Sequence, residues 1–142
     1  MVSVDWTTGN DFTAGSGNHN LAGGTYNTVS TGGDGRITLT DDVYYIEHLI
    51  VTGSGSITLS KDTTLIVNTF TLNGGARFNN NGYSMRLWAE NKGSSSASVV
   101  VKHSLTADVF SRGTVEVSSG QGVINGRVTA FDVTLSPDGK II

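Results

Sequence analysis

Carboxylates are the side chains of this sequence best suited by type to do chemistry. Asp34, Asp41, Asp42, Asp62, Asp108, Asp132 and Asp138 are spread along the chain. Cleaving a polysaccharide takes two or three carboxylates converging in one groove, one giving a proton and another activating a nucleophile. Asp41 and Asp42 stand about twenty residues before Asp62, with Arg36 and Lys61 close by. A fold that stacks residues at that interval brings these acids to one corner. Asp also favours turns, because its carboxylate accepts nearby backbone N–H groups. The turn reading is preferred to cation binding, and cation binding to catalysis.

The remaining chemistry is sparser. "GGDG" at Gly32–Gly35 and "SPDG" at Ser136–Gly139 hint at oxygen-rich calcium loops. Successive Gly-Gly-x-Gly-x-Asp units and the EF-hand pattern are both missing, so both segments read as tight turns. His19, His48 and His103 form no pair at metal-ligand spacing. No Gly-x-Ser-x-Gly elbow offers a serine nucleophile. The sequence therefore nominates no catalytic residue, no cofactor site and no metal site. Aromatic residues are the better lead. Tyr44, Tyr45, Tyr83 and Trp88 sit in or beside apolar runs, and alternation sends one of Tyr44 and Tyr45 inward and the other outward. With Leu87 inward, Trp88 points outward. A flat ring at the surface covers apolar area and keeps a polar edge, which suits a sugar or a protein partner; the alternative, preferred for these rings, is that the N-terminal segment or the 90–98 loop packs over them. The candidate binding surface is Trp88, Tyr44 and, from a neighbouring polar insertion, Glu90, Lys92 and Ser94.

Positioning such residues requires regular elements, and the chain repeats. One family of apolar runs is Val43–Glu47, Thr64–Asn68, Met85–Ala89, Ala107–Ser111 and Arg127–Phe131. A second is Leu49–Val51, Phe70–Leu72, Val99–Val101, Val115–Val117 and Val133–Leu135. A third, weaker family holds Ile37/Leu39, Ile57/Leu59, Phe78, Val123 and Ile141. A period near twenty residues with three short strands per period is the pattern of a parallel β-helix, not of hairpins. The expectation is an all-β, single-domain, three-sided helix of about six coils over residues 24–142. Unequal strands favour the right-handed form. Residues 1–23 read as an irregular N-terminal cap with one short strand at Val2–Trp6. Glu90–Ser98 reads as a polar loop inserted between the first and second strands of one coil. Asn73 and Asn79–Asn81 read as corners, where Asn tolerates positive φ.

Bulk properties agree with that class. The 142 residues fit one domain, and 19 Gly against 1 Pro fits a turn-rich β-protein. The net charge of -3 and scattered Lys and Arg exclude a basic stripe for nucleic acid. Cys is absent, so no disulfide or thiolate site exists. No apolar run is long enough to cross a bilayer, and no signal sequence is present, so an exported protein would have lost it from this chain.

The order of the pieces resembles a bacterial surface family. "TTLIVNTFTLNGGARFNNNG", "MRLWAE" and "GVINGRVTAFDVTL" are similar to the β-helix region of MshQ-type pilus biogenesis proteins of the mannose-sensitive haemagglutinin (MSHA) system, often described as agglutination proteins. The matching residues are Tyr44, Tyr45, Leu49, Val51 and Gly53; Leu65, Val67, Phe70, Leu72, Asn73, Gly75 and Ala76; and Ile124, Asn125, Gly126, Val128 and Ala130. The resemblance spans about residues 24–142 and implies a cell-surface or pilus-associated location, without catalytic residues. The first expectation is thus a non-catalytic structural and adhesive module, whose partners are a glycan, another surface protein or pilus components. A self-associating scaffold, stacking end to end, is the alternative. A polysaccharide-processing enzyme is the third.

Overall fold

Runs such as Val43–Val51 and Thr63–Leu72 consist almost entirely of β-branched, aromatic and long aliphatic residues, which suit a half-buried pleated surface. The structure, a computed structural model, describes residues 9–91, 97–118 and 120–142. It is a parallel β-helix without α-helix among these residues, and so without any helix long and apolar enough to cross a membrane. Among the described residues fifteen strands form: β1 (Asn10–Ala14), β2 (Asn18–Leu21), β3 (Gly24–Thr31), β4 (Arg36–Leu39), β5 (Val43–Val51), β6 (Ser56–Leu59), β7 (Thr63–Leu72), β8 (Arg77–Asn79), β9 (Met85–Ala89), β10 (Val99–Val101), β11 (Ser104–Thr106), β12 (Asp108–Val117), β13 (Val123–Asn125), β14 (Val128–Leu135) and β15 (Lys140–Ile141). Every pairing between them is parallel.

In most coils one long strand turns a corner and a short strand follows. In β5 the inward residues are Tyr44 and Ile46, then Leu49 and Val51, with the alternation slipping at Glu47–His48. In β7 they are Leu65 and Val67, then Phe70 and Leu72, with the slip at buried Asn68. The first two families of runs are therefore two sides of one bent sheet, ordered β1-β3-β5-β7-β10-β12-β14 with β9 between β7 and β12. Short strands β2-β4-β6-β8, and farther along β11-β13-β15, close the third side.

Stacking is close to residue-perfect on the second side. Leu49 lies beside Phe70, Phe70 beside Val99, Val99 beside Val115 and Val115 beside Val133. On the first side Tyr44, Leu65, Leu87, Val109 and Val128 form a column. The third side differs from expectation in two places. Ile124, not Val123, stacks with Ile141, and Leu105 supplies a layer that the sequence reading missed. β9 pairs along the first side and β10 along the second, so the two strands of that coil part at its corner; residues 92–96 of the expected 90–98 loop lie outside the described residues. β12 accommodates an extra residue at the same corner, between Ser111 and Thr114.

Two expectations need correction. The regular stack begins before Gly24: β1 and β2 pair in parallel with β3 and β4, so residues 10–21 carry strands of the stack and are not an irregular cap. The Val2–Trp6 strand lies outside the described residues. Tyr44 is not a surface residue. It is fully buried, because its place beside Leu65 aims it into the core. Its hydroxyl donates to the Leu21 carbonyl and accepts the Asp41 N–H at 3.0 Å.

Corner glycines permit the close approach of coils. Gly53 has φ +65, and a Cβ there would stand 2.6 Å from the Gly33 carbonyl oxygen. Gly53→Ala is therefore expected to destabilise the fold by about 1–3 kcal/mol, measurable by urea titration. Burial, the main cause, raises the Tyr44 pKa above its ordinary 10.0. The unfolded chain releases this proton first, so the stabilisation is intact below about pH 10 and falls as pH rises through the folded pKa. Tyr44→Phe should cost about 1–3 kcal/mol at neutral pH and flatten the alkaline fall. Titrations at pH 7 and at rising alkaline pH test both parts.

Candidate functional site

The corner acids are mostly occupied by the backbone. Asp41 Oδ2 accepts the Gly23 N–H at 2.6 Å, and Asp62 Oδ1 accepts the Ser84 N–H at 3.0 Å. Asp108 Oδ1 accepts the Arg127 N–H at 3.4 Å. Each bond joins neighbouring coils, as a turn carboxylate does. Asp34 accepts the Ser16 hydroxyl at 2.6 Å, and that bond is the largest cause of its lowered pKa. "GGDG" and "SPDG" close as turns, with Gly35 N–H bonded to Gly32 O and Gly139 N–H to Ser136 O. The Asn run is also a corner: Asn81 has φ +53, and Asn80 Nδ2 reaches the Thr106 carbonyl at 2.8 Å.

The histidines are dispersed. His48 Nδ1 is 2.7 Å from the Thr69 hydroxyl on the outer face, and His19 Nε2 is 3.1 Å from the Gly15 carbonyl. Burial, with a smaller contribution from Arg77, lowers the His103 pKa. No three His, Asp or Glu side chains are grouped to hold a metal among the described residues.

The outer face of the first side is different. Its outward positions stack as strictly as its inward ones, giving a column Tyr45, Ile66, Trp88, Phe110 and Thr129. Trp88 faces outward as expected, and its ring stacks on Phe110 with centroids 4.0 Å apart and planes 25° apart. Its indole N–H donates to Glu90 Oε1 at 3.1 Å, and Glu90 Oε2 pairs with Arg112 Nε at 3.4 Å. Of the five surface candidates, Trp88 and Glu90 are thus brought together, and Tyr44 is in the core. Lys92 and Ser94 lie outside the described residues.

Two residues back along each strand, at the adjacent outward position, runs a second column: Thr64, Arg86, Asp108 and Arg127. Between the columns lies a groove of about 310 Å³, lined by Arg86, Asp108 and Arg127 on one wall and by Trp88, Phe110 and Thr129 on the other. It runs along the helix axis across successive coils. A polar cleft of about 270 Å³ shares Thr64 and Arg86 with it and adds Asp42, Asp62 and Ser84. Asp42 and Asp62 therefore line one cleft at that corner. A third cleft, about 200 Å³, shares Asp108 with the groove. Phe110, Arg86 and Arg127 were missed as site residues, and Asp108 was weighed only as one of the scattered acids. The signal was available: Phe110 follows inward Val109 as Trp88 follows inward Leu87, one period apart.

No family model, curated protein or solved structure matches this chain.

The ring stack has a direct test. In a Trp6→Phe background Trp88 is the sole indole. Phe110→Ala should then shift its emission to the red and raise its quenching by acrylamide. Loss of the ring pair should cost roughly 0.5–1.5 kcal/mol beyond the lost burial. An unchanged spectrum would contradict the stack.

Proposed function

We propose that this chain is a non-catalytic structural and adhesive module of a bacterial cell-surface protein, of the pilus-associated agglutination type, and that it contacts its partner through the groove beside Trp88 and Phe110. The groove carries this reading. It joins an aromatic stack to hydrogen-bonding side chains on a rigid β-helical face, the combination that adhesive surfaces use for sugars and proteins. Support for a non-catalytic role comes from the acids, since Asp41, Asp62 and Asp108 already bond backbone N–H groups across coils. The surface and pilus assignment rests on the resemblance of residues 24–142 to the MSHA biogenesis family.

A second reading, end-to-end self-association, is favoured by the last coil. Phe131 is 87% exposed there, Ile142 74% and Leu135 50%. The outer edge of β14 has no strand partner among the described residues. Such an edge is a template for pairing.

Beads coated with the chain should agglutinate cells that bear surface glycans, and beads carrying Trp88→Ala or Phe110→Ala should not. Agglutination that survives both substitutions would remove the groove from the adhesive role. Sedimentation velocity tests the second reading: a single monomer boundary at all concentrations would exclude self-association.

A further inference from the structure

We infer that the groove takes a neutral oligosaccharide, laid along the helix axis so that successive pyranose units meet successive coils. The inference rests on the adhesive reading and specifies the chemistry of its ligand.

The charged wall carries the argument. Arg86, Asp108 and Arg127 occupy one outward column, one residue per coil, so their signs alternate at steps of about 4.8 Å. All three are exposed. The ion pairs among the described residues are His48–Glu47 and Arg112–Glu90, and none involves this wall. A polyanion lying in the groove would meet Asp108 between the two guanidinium groups. A polycation would meet the guanidinium groups themselves. Vicinal hydroxyls suit the alternation, because each donates and accepts: arginine forks offer only donors, and a carboxylate offers only acceptors.

The aromatic wall supplies the other half. Trp88 covers one face of Phe110. Beyond the other face lies Thr129, a much smaller side chain, and the groove is lined by both. A C–H-rich pyranose face can lie against that side of the phenyl ring while its hydroxyl edge turns to the charged wall. The volume of about 310 Å³ is at the lower end for ligand sites. The adjoining clefts share Arg86 and Asp108 with it and lengthen the path. That geometry fits several linked units better than one.

The test is calorimetric titration of the chain with hexasaccharides of three classes. The neutral probes are cellohexaose, maltohexaose and mannohexaose; the acidic probe is hexagalacturonate; the basic probe is chitosan hexamer. At least one neutral probe should bind more tightly than both charged ones. Phe110→Ala, Arg127→Gln and Asp108→Asn should each weaken it about tenfold or more, the scale of losing one ring or charged hydrogen-bond contact. Arg36→Gln, on another side of the helix, should not. Arg127→Gln alters an exposed side chain, and Asp108→Asn keeps an amide oxygen to accept the Arg127 N–H, so they separate lost contact from lost fold. Tightest binding by a charged probe would overturn the neutral-ligand inference and leave the adhesive reading standing. So would agglutination that depends on Phe110 without binding of any hexasaccharide, which would indicate a protein partner. Absence of both agglutination and binding would overturn the adhesive reading as well.

Discussion

The parallel backbone ladder between coils is the constraint from which the other features descend. It places residues about twenty positions apart in sequence next to one another, about 4.8 Å apart in space. Inward side chains must then stack on their own equivalents, as Tyr44, Leu65, Leu87 and Val109 do. Buried like-on-like contact favours aliphatic residues of similar volume, because a change in one layer is felt by the layers on both sides. Outward side chains inherit the same register without that burial. Columns are therefore produced on the outside whether or not they serve a function.

Irregularity is confined to corners, where the ladder is easiest to interrupt. The break between β9 and β10 and the extra residue of β12 share one corner. Asn91 bonds Asn68 O across it with φ +54. A Cβ on Gly113 would collide with the Asn91 side chain, at 2.2 Å from Nδ2. Ser98 and Ser111 are buried there and hydrogen-bonded to each other. Polar residues line this bend because backbone groups that leave the ladder still need partners inside a dry core. The corner carboxylates answer the same need from outside. That explains why Asp41, Asp62 and Asp108, among the first candidates for chemistry, each hold a backbone N–H of a neighbouring coil.

The candidate site is an exception built from the same rule. Register brings Trp88 and Phe110 face to face, and their stack would be a structural ladder if nothing stood beside it. The neighbouring column makes the difference. Arg86, Asp108 and Arg127 are alternately charged and unpaired with one another, whereas Glu90, on the far side of Trp88, is held by the indole and by Arg112. One flank of the stack is thus closed by internal partners and the other is open.

The sequence by itself determined the period, the three sides and nearly every inward residue, because burial in a repeating coil leaves a repeating apolar pattern. It located the outward direction of Trp88 for the same reason. It did not reveal the first coil, since Asn10–Ala14 and Asn18–Leu21 contribute few apolar residues and an end layer is buried on one side only. Nor did alternation say which of Tyr44 and Tyr45 is inside. The register against Leu65 decides that, because alternation fixes relative facing and a neighbouring coil fixes the absolute one; the aligned runs starting at Val43 and Thr64 already carried it, and the structure shows that it holds. The groove was a tertiary product. Arg86, Asp108 and Arg127 are ordinary surface charges in sequence, and their alternation exists only once three coils are stacked.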